Sequence, residues 1–67
     1  MANGNLSTPM EILQAALRKE ESAYRFYENI GELTHSAPIR QLVIQLKEEE
    51  FRHIRLIQKK IVELNLG

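Results

Sequence analysis

The chain reads as all-α: two amphipathic helices joined by one short turn into an antiparallel hairpin. Three observations carry that reading. Apolar residues recur at steps of three and four on both sides of a single break, each segment opens on a helix-capping signal, and no proline or glycine interrupts the second beyond its first turn. With 67 residues and no cysteine, there is one small unit, no disulfide framework and no thiolate metal site. Below ~70–80 residues a single core seldom supplies more than ~3–5 kcal/mol, which makes a partner chain or a metal an early expectation.

Residues 1–7 are expected to be a disordered lead. Thr8-Pro9-Met10-Glu11 has the form of a capping box, with Thr8 as N-cap, Pro9 at the first helical position and Glu11 reaching back. The first helix is expected over about 9–33, with Leu13, Ala16, Glu20, Ala23, Tyr27 and Ile30 on its stripe. Thr34-His35-Ser36-Ala37-Pro38 carries the break, because Pro38 disfavours helix in the residue before it and Ser36 suits the next N-cap. The second helix is expected over about 37–65, on the stripe Ile39, Val43, Leu46, Glu50, His53, Ile57, Ile61 and Leu64. Residues 8–67 thus form one helical hairpin.

Each helix also carries apolar residues off its stripe, among them Leu17, Tyr24, Phe26, Leu42, Ile44, Phe51, Ile54 and Leu56. Two helices alone cannot cover them all, so the hairpin is expected to dimerise into a four-helix bundle, or to form a larger homo-oligomer.

Charge narrows the function. Lysine plus arginine and glutamate number nine each, there is no aspartate, and no long-range field favours nucleic acid or an anionic membrane. No stretch reaches the ~20 apolar residues of a membrane span, and the first residues lack a signal-peptide pattern. A cytoplasmic location is expected. Arg52 and Arg55 are expected in surface or interhelical ion pairs, and Lys59-Lys60 is explained by the helix dipole.

Glu50-Phe51-Arg52-His53 breaks the apolar stripe with a carboxylate and an imidazole one turn apart. Burying such groups demands a counter-ion, a hydrogen-bond network or a metal. Glu20 interrupts the first stripe, and counted from the turn it stands level with Glu50, near mid-helix. Only mid-helix residues meet their own symmetry mates at one height in an antiparallel dimer, so one dimer gathers four carboxylates and two imidazoles. Two divalent cations would cancel four negative charges.

Glu20 through Tyr27, followed by Glu49-Glu50-Phe51-Arg52-His53, resembles the first half of a rubrerythrin-type, ferritin-like di-iron carboxylate domain. The resemblance spans nearly the whole chain after residue 8 and half of that family's four-helix unit. It implies Glu20 as a terminal carboxylate ligand, Glu50 as a bridging one, His53 as a nitrogen ligand and Tyr27 as a hydrogen-bond partner behind them. It further implies two metal ions per dimer, iron ahead of manganese or zinc, an external electron donor, and oxidation of ferrous iron or reduction of dioxygen or peroxide. Two departures bear on activity: no cysteine is present for a rubredoxin centre, and Ala23 stands where the family places an additional glutamate. The competing reading is a non-catalytic hairpin that dimerises or docks, its inward polar residues fixing register.

Overall fold

The computed structural model describes residues 8–67, so the lead at residues 1–7 lies outside it. Two helices, α1 (Pro9–Gly31) and α2 (Ala37–Leu66), pack side by side as a hairpin. The molecule measures 46 × 30 × 11 Å. Its length is that of α2 at ~1.5 Å per residue, and its thickness is one helix diameter, so a single layer of chain has no second layer to enclose a core. Among the described residues only Val43, 7% exposed, is buried.

Both helix starts follow from their caps. The Thr8 Oγ1 accepts from the Glu11 amide at 3.1 Å while Glu11 Oε1 accepts from the Thr8 amide at 3.2 Å, closing the capping box ahead of Pro9. Ser36 Oγ accepts from the Ile39 amide at 3.4 Å, with Pro38 inside the first turn of α2. α1 stops at Gly31, two residues short of the expected end. Its last carbonyls are met by tighter bonds, from the Glu32 amide to Asn29 O at 3.2 Å and from the Leu33 amide to Ile30 O at 3.0 Å. Arg40 then reaches back from α2, its Nη2 donating to Thr34 O at 2.8 Å, and ties the turn to the helix that follows.

Gly31 sets the spacing at the turn. A Cβ added there would lie 3.2 Å from Val43 Cγ1, so the missing side chain admits the one buried residue of the hairpin.

The face of α2 turned toward α1 is rotated from the expected stripe. Val43, Leu46, Lys47, Glu50, Ile54, Ile57 and Ile61 are the least exposed along it, whereas Ile39, His53 and Leu64 are exposed. The two ladders share Val43, Leu46, Glu50, Ile57 and Ile61; the observed one takes in Lys47 and Ile54 and leaves Ile39, His53 and Leu64 exposed. Periodicity in steps of three and four fits both, because α2 carries apolar residues over more than half of its circumference. One ladder faces α1; Leu42 and His53 lie on the adjoining flank. Tyr24 and Phe51 mark the opposite flank, their rings 6.3 Å apart and tilted, with Lys47 Nζ 5.6 Å over the Tyr24 ring.

Candidate metal centre

Glu20 is the central residue of α1, and Glu50 and His53 straddle the middle of α2. An antiparallel hairpin brings two such midpoints to one height when its helices are of similar length and its turn is short. The structure brings all three side chains together: one ligand atom from each lies within 4.8 Å of the others. His53 Nδ1 is 3.3 Å from Glu20 Oε1 and 3.6 Å from Glu50 Oε1. The first is a long hydrogen bond and the second lies beyond bonding distance.

Burial within the group is uneven. The Glu20 and Glu50 side chains are 23% and 18% exposed, while His53 is 57% exposed on the flank of the hairpin. The imidazole is therefore not turned into the hairpin seam, contrary to the inward stripe drawn from spacing. Its Cβ leaves α2 on the Leu46 side of the seam, and Nδ1 turns back toward the two carboxylates.

Glu50 Oε1 is buried and has no hydrogen-bond donor among the described residues. Such an atom costs free energy unless a proton or a cation satisfies it. The two carboxyls can bond to each other only when one holds a proton. The Glu50 pKa is pushed up by the hydrogen bond to Glu20, by burial and by the Glu20 charge, with His53 pulling the other way. Glu20 is held below the ordinary carboxylate value by accepting from Glu50, against burial and with help from His53. One proton shared between facing carboxyls is the usual outcome when like charges approach.

A divalent ion could replace that proton. One ion bound by all three groups needs donor atoms within ~4 Å of each other, twice a ~2.0–2.2 Å bond, and small rotations about the Glu and His side chains close the gap from 4.8 Å. Nδ1 would present its lone pair, leaving the imidazole proton on Nε2. Two carboxylates and one imidazole suit ferrous iron, manganese or zinc. The donor set and the unsatisfied Glu50 oxygen thus fit a metal.

Tyr27 stands elsewhere. With Gly31, Val43 and Lys47 it lines an open cleft of about 440 Å³ near the turn, and among the described residues no hydrogen bond joins its hydroxyl to Glu20, Glu50 or His53. Its ring instead meets Phe26, edge on, at 5.5 Å. Lys47 went unremarked in the sequence. It lies 4.0 Å from Glu28 and over Tyr24, and the signal was an acid and a base facing each other at one level of the hairpin.

No described helix is long and apolar enough to cross a membrane. No curated protein and no solved structure is similar enough to this chain to count as a match. The family comparison matches Rubrerythrin over residues 11–67, a span that holds Glu20, Glu50 and His53. That match and the Glu/Glu/His group support a ferritin-like metal-binding role, and the chain belongs to the rubrerythrin family.

Proposed function

We propose that two copies of the hairpin pair along the His53 flank into a ferritin-like four-helix bundle and hold two divalent metal ions, iron by preference, between them. The observation that carries this reading is the half-complete site: three donors converge, one buried oxygen lacks a donor, and the imidazole side is open. Ile12 and Phe26 on α1, with Ile39 and Leu42 on α2, are exposed large apolar residues; on the helical wheel they fall on the flank away from the Tyr24–Phe51 pair, where a second copy would cover them. A two-fold axis near mid-helix sets each triad opposite its mate, giving four carboxylates and two imidazoles in one core.

When bound, iron would supply one-electron redox chemistry toward dioxygen or peroxide, with reducing equivalents drawn from an external donor. The chain's own residues bind and orient. Glu20 and Glu50 supply the carboxylate charge, His53 supplies Nδ1, and a cation competes with any proton held between Glu20 and Glu50. Apolar residues across the dimer face exclude bulk water from the ligands. Ala23 adds no further carboxylate, so the site has fewer oxygen donors than a full rubrerythrin set, which favours ferrous oxidation or simple iron binding over peroxide turnover. Activity in the cytoplasm follows from the same reading.

Anaerobic titration with ferrous iron, read by elemental analysis after desalting, tests it. Wild type should retain about one metal per chain, and His53→Ala and Glu50→Ala should retain almost none. No retained metal in wild type would leave only the reading of a non-catalytic hairpin dimer, and equal retention by all three would take the metal away from these residues.

A further inference from the structure

The balanced charge of the chain conceals an asymmetry. Glu20 and Glu50 gather at the metal-binding side, while Arg52, Arg55 and Lys59 line the outward face of α2. At 3.6 residues per turn these three cations fall within a ~60° sector turned away from both α1 and the His53 flank. Among the described residues none of them lies within ion-pair distance of a carboxylate, contrary to the ion pairs expected for Arg52 and Arg55. Arg55 instead stands 5.8 Å over the exposed Phe51 ring. Three acids border this face, Glu48 and Glu49 one turn before Arg52 and Glu63 one turn past Lys59, and Glu63 is taken by Lys60 at 3.0 Å.

Between the cations the face is apolar and slightly concave. Leu56 is 65% exposed, Val62 is also exposed, and Arg55, Leu56, Gln58, Lys59 and Val62 line a shallow cleft of about 500 Å³. Apolar side chains set among cations that lack ion pairs, with a net positive rim, are the composition of a protein docking site.

We propose that this face of α2 docks a carboxylate-rich segment of a partner protein, with one apolar side chain of that segment seated against Leu56 and Val62. Charge complementarity selects the partner. Three cations are too few for tight nucleic-acid binding at physiological salt, where each phosphate contact contributes through counter-ion release. A membrane-bound helix needs a continuous apolar face, and here Gln58 and the cations interrupt it. The proposal goes beyond the metal site and stands whether or not metal binds, because none of its residues is a ligand.

The probe is a synthetic helical peptide bearing glutamate at positions i, i+3 and i+7 around a central leucine, added to isotope-labelled full chain in metal-free and metal-loaded forms. Amide shifts should centre on Phe51 to Val62 in both forms and weaken at least tenfold on going from 50 mM to 500 mM salt. The charge-reversed variant R52E/R55E/K59E, all at exposed helical positions, should lose the acidic peptide and gain binding to the lysine version of it. Leu56→Ala should weaken binding severalfold with the charges intact. Shifts spread equally over Arg18, Lys19 and Arg25 would overturn the proposal. So would no shift at millimolar peptide, or binding of anionic vesicles or duplex DNA at these residues without binding of the acidic peptide.

Discussion

Replacing Glu50 with glutamine separates the cost of the site from its use. In the metal-free hairpin at pH 7.5, two carboxylates stand with donor atoms no more than 4.8 Å apart. Unit charges at that distance repel by ~0.9 kcal/mol in bulk water and ~3.5 kcal/mol at an effective dielectric constant of 20. Their side chains are 18% and 23% exposed, nearer the solvated limit, so ~1 kcal/mol is the expected repulsion. Glu50→Gln removes it, and the new amide can donate to Glu20. The metal-free variant should therefore melt ~4–8 °C above wild type, the shift ~1 kcal/mol gives in a domain of this size. With manganese at a hundred times its dissociation constant, wild type should gain ~2.7 kcal/mol per site, and the variant far less. Circular dichroism melts with and without metal measure both. Glu50→Gln protein that melts lower than wild type without metal, yet gains as much from it, would refute the reasoning.

The same carboxyl pair sets a pH dependence. Glu50 is raised above its ordinary value of 4.5, so its contribution is present at low pH and is lost as pH rises through the raised value. Glu20 is lowered, so its contribution is present above that ordinary value and is lost as pH falls through the lowered one. Metal-free protein should be most stable in the window around 4.5 between the two and weaken toward neutrality, while stabilisation by metal should grow over the same rise, as melts from pH 4 to pH 8 would show. Thr8→Ala removes the oxygen that accepts from the Glu11 amide at 3.1 Å and should cost ~1 kcal/mol, more than Ser36→Ala, whose bond is 3.4 Å; the reverse order in chemical denaturation would count against the capping argument. Gly31→Ile should cost ~1–3 kcal/mol by overpacking against Val43, whereas Gly31→Ala should be near neutral, since better helix propensity offsets the 3.2 Å contact.

The hairpin was legible because its punctuation is local. Thr8-Pro9 with Glu11 and Ser36 with Pro38 fix both helix starts through bonds three residues long, which a sequence displays directly. The end of α1 was less legible, because no glycine with positive φ or proline terminates it and the last turn tightens through Asn29 and Ile30 carbonyls. Glu20, Glu50 and His53 could be named because each sits at mid-helix, where an antiparallel turn sets their height. Their azimuth was harder to read. A helix apolar over more than half its circumference offers two overlapping seams, and only packing against α1 shows that Lys47 and Ile54 lie in one while His53 lies beside it. Arg52 and Arg55 depart from the expected ion pairs for a related reason: spacing shows which charges could meet, but exposed side chains gain little from pairing, and these two stand beyond ion-pair distance of any described carboxylate.

The central claim is that Glu20, Glu50 and His53 form half of a site which a second copy completes. Native mass spectrometry of protein loaded anaerobically with ferrous iron tests it most directly. The expected species has twice the 7.8 kDa chain mass and carries two metal ions, and it reverts to metal-free protein in Glu20→Ala, Glu50→Ala or His53→Ala. A metal-free monomer at 7.8 kDa, or a dimer whose metal content ignores those three substitutions, would contradict it.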